Sequence, residues 1–213
     1  MSYRVKEIYY TLQGEGANVG RPAVFCRFEG CNLWTGWQKN RKTAICKFCD
    51  TDFLGINGKN AGEFKTAASL AGAITKLWPE QRSFSGARFV VCTGGEPLLQ
   101  LDGALIKALH KNGFEIAIET NGTLLPPKGI DWTCVSPKAG ARMRLKKGDE
   151  LKLVFPQKGA DPKMFEDLKF RHFYLQPMDG KCRKKNTSDA AHYCLKHPRW
   201  NLSLQIHKII GLP

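Results

Sequence analysis

The sequence predicts an α/β fold in which parallel strands alternate with a few helices and curl into an open, partial barrel. Three observations lead there. Short apolar runs bounded by Gly, Pro and Asn alternate with segments of helical period. Polar residues gather just after the strands, the edge that carries the chemistry in parallel α/β barrels. About six parallel strands are too few to close an eight-stranded barrel, and 213 residues suit one sizeable core, read as a single domain over 1–213.

Glu7 to Leu12 reads as a first strand, stopped by Gln13-Gly14-Glu15-Gly16. The glycines there either make an ordinary turn or let backbone amides approach a ligand. A second strand, Ala23 to Phe28, carries Arg27 among apolar neighbours, a costly place for an unpaired charge. Turned inward, Arg27 suits a carboxylate ligand; the alternatives are water or a structural acid. Ala67 to Trp78 has helical period, and Arg88 to Cys92 reads as a buried strand running into Thr93-Gly94-Gly95-Glu96-Pro97. That segment bares main-chain groups and adds a carboxylate fit for an amino group, and taken alone it also reads as a plain strand-to-helix turn.

The alternation then repeats. Leu101 to Lys111 is helical in period, Phe114 to Glu119 is a strand ending in Thr120-Asn121-Gly122, and Trp132 to Val135 is a strand ending in Ser136-Pro137-Lys138. Glu150 to Phe155 and His172 to Leu175 add two more, the last ending in Gln176-Pro177-Met178-Asp179. Thr187 or Ser188 is expected to cap a helix through Cys194 to about Lys196, before Pro198. Leu202 to Ile206 alternates as a final strand and delivers His207 to the tail, a position where histidine is more often structural than catalytic.

Composition narrows the function. The formal charge of +14 invites a nucleic-acid partner, yet runs such as Lys146-Lys147 and Arg183-Lys184-Lys185 lack interleaved aromatics and read as solvated faces or a cleft for a small anion. No apolar run approaches the ~20 residues that span a bilayer, and the first ten residues lack a signal-peptide layout, so a cytoplasmic location is expected. Eight cysteines in that compartment argue for metal or catalysis over a disulfide framework. Cys31, Cys46 and Cys49 stand as C-x14-C-x2-C, a spacing open to three readings: an iron–sulfur cluster with one iron left free, half of a zinc site, or small apolar filler. Cys182 and Cys194 lack close partners along the chain.

Taken together the motifs resemble the radical S-adenosylmethionine (SAM) superfamily, and within it the branch that makes 7-carboxy-7-deazaguanine in the queuosine pathway. The matching pieces are T-L-Q-G-E-G at 11–16, F-C-R-F-E-G-C-N-L at 25–33, C-K-F-C-D-T at 46–51, T-G-G-E-P at 93–97, E-T-N-G at 119–122, V-S-P-K at 135–138, Q-P-M-D at 176–179 and L-Q-I-H-K at 204–208. They run in order over nearly the whole chain. One departure is clear: the superfamily usually spaces its cysteines C-x3-C-x2-C, whereas position 35 is Thr and the middle cysteine stands at Cys46. The resemblance implies an insertion of about Trp34 to Ile45 lying over the cluster, with all three ligands kept.

The resemblance further implies an open partial barrel of the TIM type and a 4Fe-4S cluster on Cys31, Cys46 and Cys49, whose open iron chelates SAM and whose electron cleaves it to a 5′-deoxyadenosyl radical. Lys47, Phe48, Cys49, Asp50, Gly94, Gly95, Glu96, Ser136, Pro137, Lys138, Gln176, Pro177, Met178 and Asp179 are the implied SAM contacts. The implied substrate is 6-carboxy-5,6,7,8-tetrahydropterin, contacted by Leu12, Gln13, Gly14, Glu15, Arg27, Thr93, His207 and the Pro213 carboxylate, with Thr51 on magnesium. The radical would abstract hydrogen from C6, the ring would contract with loss of ammonia, and SAM would be regenerated. Implied partners are an electron donor such as flavodoxin or ferredoxin and a second copy in a homodimer, with no nucleic acid and no membrane. Two alternatives are another radical SAM enzyme, such as one that activates a partner by making a glycyl radical, and a basic zinc-binding nucleic-acid module.

Overall fold

The computed structural model describes residues 2–80 and 87–213. In chain order its elements are β1 (Tyr3–Leu12), β2 (Pro22–Phe28), β3 (Gly62–Phe64), α1 (Ala67–Leu77), β4 (Arg88–Gly94), α2 (Gly103–Lys111), β5 (Phe114–Thr120), β6 (Trp132–Val135), β7 (Lys147–Phe155), β8 (Lys169–Pro177), α3 (Arg183–Lys196), β9 (Asn201–Leu202) and α4 (Ile206–Ile210). The strands form one sheet in the order β3-β1-β2-β4-β5-β6-β7-β8-β9. From β2 to β9 every neighbouring pair is parallel, while β1 runs antiparallel to both β2 and β3. This is the mostly parallel, open α/β architecture with few helices that the sequence predicts, extended by an antiparallel edge.

The strand period of two sorts each strand into an outer, apolar set and an inner, mixed set. Val24, Cys26 and Phe28 of β2, Val90 and Cys92 of β4, and Ile116 and Ile118 of β5 pack outward against Leu70 and Ile74 of α1 and Leu105 and Leu109 of α2. Leu151 and Leu153 of β7 and Phe173 and Leu175 of β8 pack with Ala190 of α3 and with Trp200. Burial of each such side chain stabilises the fold by about 1.5–3 kcal/mol. The inner positions begin apolar, with Phe25, Phe89, Val91 and Ala117 in contact. Towards the carboxyl ends the same face turns polar, with Arg27, Thr93, Glu119, Ser136, Lys152 and Gln176 next in line.

Two helices start where their caps dictate. Thr66 and Ser69 bond reciprocally at the start of α1, and the Asp102 side chain accepts from Leu105 N–H at 2.9 Å at the start of α2. α3 starts at Arg183, four residues before the expected Thr187, because the Thr187 hydroxyl bonds back to the Arg183 carbonyl at 2.8 Å instead of capping. The expected strand over Leu202 to Ile206 is likewise corrected: only Asn201–Leu202 pairs with β8. Beyond it Ser203 N–H still reaches the Leu175 carbonyl, but the Ser203 hydroxyl takes Gly16 N–H at 2.9 Å and Ile206 N–H donates to the Gly14 carbonyl at 3.0 Å. Those bonds pull the chain off the sheet and into α4. No helix among the described residues is long and apolar enough to cross a membrane.

Candidate active site

The same bonds draw the two halves of the open sheet together. The loop after β1 crosses to the far half, where Ala17 N–H donates to Glu150 at 3.0 Å and Glu15 meets Lys152 at 2.5 Å. Between the halves lies a cavity of about 410 Å³, open to the carboxyl ends of the parallel strands.

One wall carries Cys31, Cys46 and Cys49. Cys31 follows β2 and accepts a hydrogen bond from Leu33 N–H at 3.4 Å, although burial pushes its thiol up. Cys46 and Cys49 share a hydrogen bond that holds Cys49 down to about 6 and Cys46 up. The segment between these cysteines is folded back on them: the Leu33 carbonyl accepts from Ile45 N–H and Cys46 N–H. Arg41 donates to the carbonyls of Lys47 and Cys49 at 3.0 and 3.1 Å and stacks its guanidinium 3.9 Å over the Trp34 ring.

Across from the thiols, the turn after β4 comes so close to the Cys31 loop that a Cβ on Gly95 would collide with the Gly30 carbonyl oxygen. Glycine is therefore required there. Lys138 reaches in from the β6 turn, its ammonium bonded to Ser136 and 6.0 Å from the centre of the Phe48 ring, with burial pulling its pKa down. At the end of β8 the buried Gln176 side chain donates to Glu15, while its carbonyl oxygen has no hydrogen-bond partner among the described residues. A buried acceptor without a partner is rare and marks a place for a donor.

The floor is ionic. Lys152, 4% exposed, donates to Glu15 at 2.5 Å and Glu119 at 3.3 Å. Burial works against its charge, but Glu119 and Glu15 outweigh it and keep the ammonium well above its ordinary value. The reciprocal holds for Glu15, where burial raises the carboxyl and Lys152 pulls it down further. On the near side Arg27 bonds Glu7 at 2.8 Å and the Tyr9 hydroxyl at 3.1 Å. Its charge is thus both inward and paired, two sequence readings that appeared to exclude each other.

Nearly all the residues singled out from the sequence meet in this cavity, including Leu12, Gln13, Gly14, Glu15, Thr51, Thr93, His207 and Pro213. Lys47, Glu96 and Pro137 do not line it. Glu96 is fully buried, and its carboxylate accepts from Leu98 N–H, the Thr120 hydroxyl and Asn121 N–H at 3.1, 2.8 and 2.8 Å. Asp50 and Asp179 line the rim, where both carboxylates already bind Lys208. Sequence reasoning missed Lys152, Tyr9 and Gln205. A lysine amid the leucines of β7 carries a detectable signal only once both faces of that strand are known to be covered.

The donors fit a sulfur-bound cofactor. Three soft ligands share one wall, a glycine turn lies against them, and Gln176, whose buried carbonyl has no partner among the described residues, lines the same space. Among the described residues no three His, Cys, Asp or Glu side chains converge on a single ion.

No family model matches the sequence. Among known proteins it is similar to the 7-carboxy-7-deazaguanine synthase of Bordetella pertussis, 60% identical over 213 residues. It is also similar to those of Caulobacter vibrioides, 57% identical over 216 residues, and Burkholderia multivorans, 56% over 213. In each case all of both chains is covered. The fold matches a crystal structure of QueE from Escherichia coli with a TM-score of 0.69 and 29% identity, over 96% of this chain and 94% of that one. Similarity of this degree over the full length of the relatives leaves one conclusion: the chain belongs to the 7-carboxy-7-deazaguanine synthase family.

Proposed function

We propose that this chain is a radical SAM lyase that converts 6-carboxy-5,6,7,8-tetrahydropterin to 7-carboxy-7-deazaguanine and ammonia. The observation that carries the reading is the meeting of the three cysteines in one cavity with the positions that the resemblance implies for the pterin, in a chain that matches the family end to end. A 4Fe-4S cluster on Cys31, Cys46 and Cys49, with SAM on it, supplies one-electron abstraction of hydrogen from C6 of the pterin.

The protein's own groups bind and orient. Arg27, braced by Glu7 and Tyr9, keeps part of its guanidinium fork for the pterin carboxylate. The backbone of Leu12, Gln13 and Gly14, the Thr93 hydroxyl, His207, Glu15 and Pro213 surround the ring. Thr51 offers magnesium a single protein oxygen, in keeping with that ion's habit of retaining waters. Phe48, Gly94, Gly95, Ser136, Lys138 and Gln176 to Asp179 hold SAM, and the open Gln176 carbonyl accepts one of its donors. Glu96 serves by stiffening the glycine turn from behind, and Lys47 and Pro137 contribute backbone. Trp34 to Ile45 acts as an insertion lying over the cluster. A flavodoxin or ferredoxin delivers the electron, and the enzyme works as a cytoplasmic homodimer.

The test is an anaerobic reaction of reconstituted protein with reductant, magnesium, SAM and the pterin, read by mass spectrometry beside a Cys49→Ala control. The expected result is 7-carboxy-7-deazaguanine from the wild type alone, in large excess over 5′-deoxyadenosine. SAM cleavage with the pterin left intact would keep the cofactor chemistry and overturn the substrate.

A further inference from the structure

Lys208 belongs to none of the ligand contacts assigned above, yet its ammonium makes three side-chain hydrogen bonds. Its ammonium donates to Asp50 at 2.7 Å, Asp179 at 2.6 Å and the Gln205 side-chain carbonyl at 3.0 Å. Asp50 lies beside Cys49 and Asp179 follows β8, so one cation on α4 joins the cysteine loop to the end of β8 at the cavity rim. Gln205 continues the link inward by donating to Glu15 at 2.9 Å. The effect on Asp179 is visible in its carboxyl, which the Lys208 hydrogen bond holds below the ordinary aspartate range.

Apolar packing adds little to these bonds. Ile206, Ile209, Ile210 and Leu212 are 37%, 68%, 53% and 39% exposed, so the tail buries little apolar surface. Two contacts that place it inside depend on its being docked: His207 packs against Gly14, where a Cβ would collide with the imidazole, and the Thr11 hydroxyl donates to the Pro213 carbonyl oxygen at 3.2 Å.

We propose that Lys208 is a positioning residue, a charged latch at the cavity rim that holds the C-terminal tail so that His207 and Pro213 meet the pterin. The role of those two groups rests on the function proposed above; the latch itself rests on the ion pairs. Lys208→Met keeps the aliphatic stem and removes the charge, while Lys208→Arg keeps both.

The experiment compares amide hydrogen exchange and steady-state kinetics of the reconstituted, SAM-bound enzyme in wild type, Lys208→Met and Lys208→Arg. With Met, exchange in the peptide covering Gln205 to Pro213 accelerates about tenfold while β4 and β5 stay protected. The pterin KM rises about tenfold with kcat within about threefold, the pattern of lost substrate positioning. Arg restores both. Unchanged tail exchange overturns the latch, and so does faster exchange with an unchanged pterin KM. Should Met loosen the whole sheet, the wild type decides alone. Salt near 1 M, where the Debye length is about 3 Å, must then speed exchange in the tail and not in β4, and failure to do so overturns the proposal. A wild type that leaves the pterin untouched defeats the function reading instead, and the exchange arms still decide the latch.

Discussion

The Glu96 carboxylate has three hydrogen-bond donors and no exposure, so its position in the Gly94-Gly95-Glu96 turn is set from behind the cavity. Burial raises its pKa even against those donors, and the bonds are what make a carboxyl tolerable there. Glu96→Ala strands Leu98 N–H, the Thr120 hydroxyl and Asn121 N–H in the interior. It is expected to cost roughly 2–4 kcal/mol, a fall of roughly 5–15 °C in melting temperature, measured by thermal unfolding. A change under 2 °C, an order set by one surface substitution, would mean that the carboxylate is dispensable to the turn. The motif marked this residue as special, but sequence could not say which way it points. The direction follows from register: Thr93 lies on the inner face, and Glu96, an odd number of residues further along an extended backbone, falls on the opposite one. Cysteine and glycine positions were legible for the opposite reason, since thiol chemistry and close backbone approach tie a residue type to a place.

At the scale of elements, Trp34 to Ile45 is anchored rather than loose. Arg41 joins it to the Cys46–Cys49 turn through two carbonyls and stacks on Trp34, which packs edge-on to Phe53 at 5.5 Å. Arg41→Met should leave the melting temperature of the apoprotein nearly unchanged, within about 0.5 kcal/mol as for a surface position. Iron and sulfide retained after reconstitution should fall severalfold, in line with losses of a positioning group around metal ligands, about 10–100-fold in affinity. Full retention of iron would show that the turn holds its own shape. The strands that sequence located well are those buried on both faces, where Val, Ile and Phe leave no other reading. It failed at β3, three residues long, and at both ends of the C-terminal region. The first turn of α3 reads Arg183-Lys184-Lys185-Asn186 with no apolar stripe, and alternation after Leu202 is overridden by bonds to the β1–β2 loop, partners no local pattern announces.

Across the whole molecule, the open sheet is held together by charge in its interior. Lys152 on β7 binds Glu15 from the loop after β1 and Glu119 on β5, so one ammonium ties three distant segments around the cavity floor, with Glu150 and Cys134 close behind. The sign of its pH dependence follows from the shifts. Glu15 is lowered by Lys152, so its contribution is present above the free-glutamate value, about 4.3, and is lost as pH falls through the lower folded value. Lys152 is raised, so its contribution is present below about 10.4 and is lost only as pH rises through the higher folded value. The wild type should therefore keep a level stability from about pH 5 to about pH 10 as far as this network governs it. Lys152→Met removes the counter-charge and leaves burial as the dominant influence on the Glu15 carboxyl, as it already is at Glu150, whose pKa is raised. The neutral form of Glu15 is then favoured in the fold, and stability falls as pH rises. The variant should lose roughly 3–5 kcal/mol at pH 8, the cost of breaking a buried pair, and roughly half of that at pH 5. Adding Glu15→Gln to it should recover much of the loss at pH 8 and little at pH 5. Thermal unfolding across that range reads both effects, and a deficit that does not change with pH would place the importance of Lys152 in packing rather than in charge.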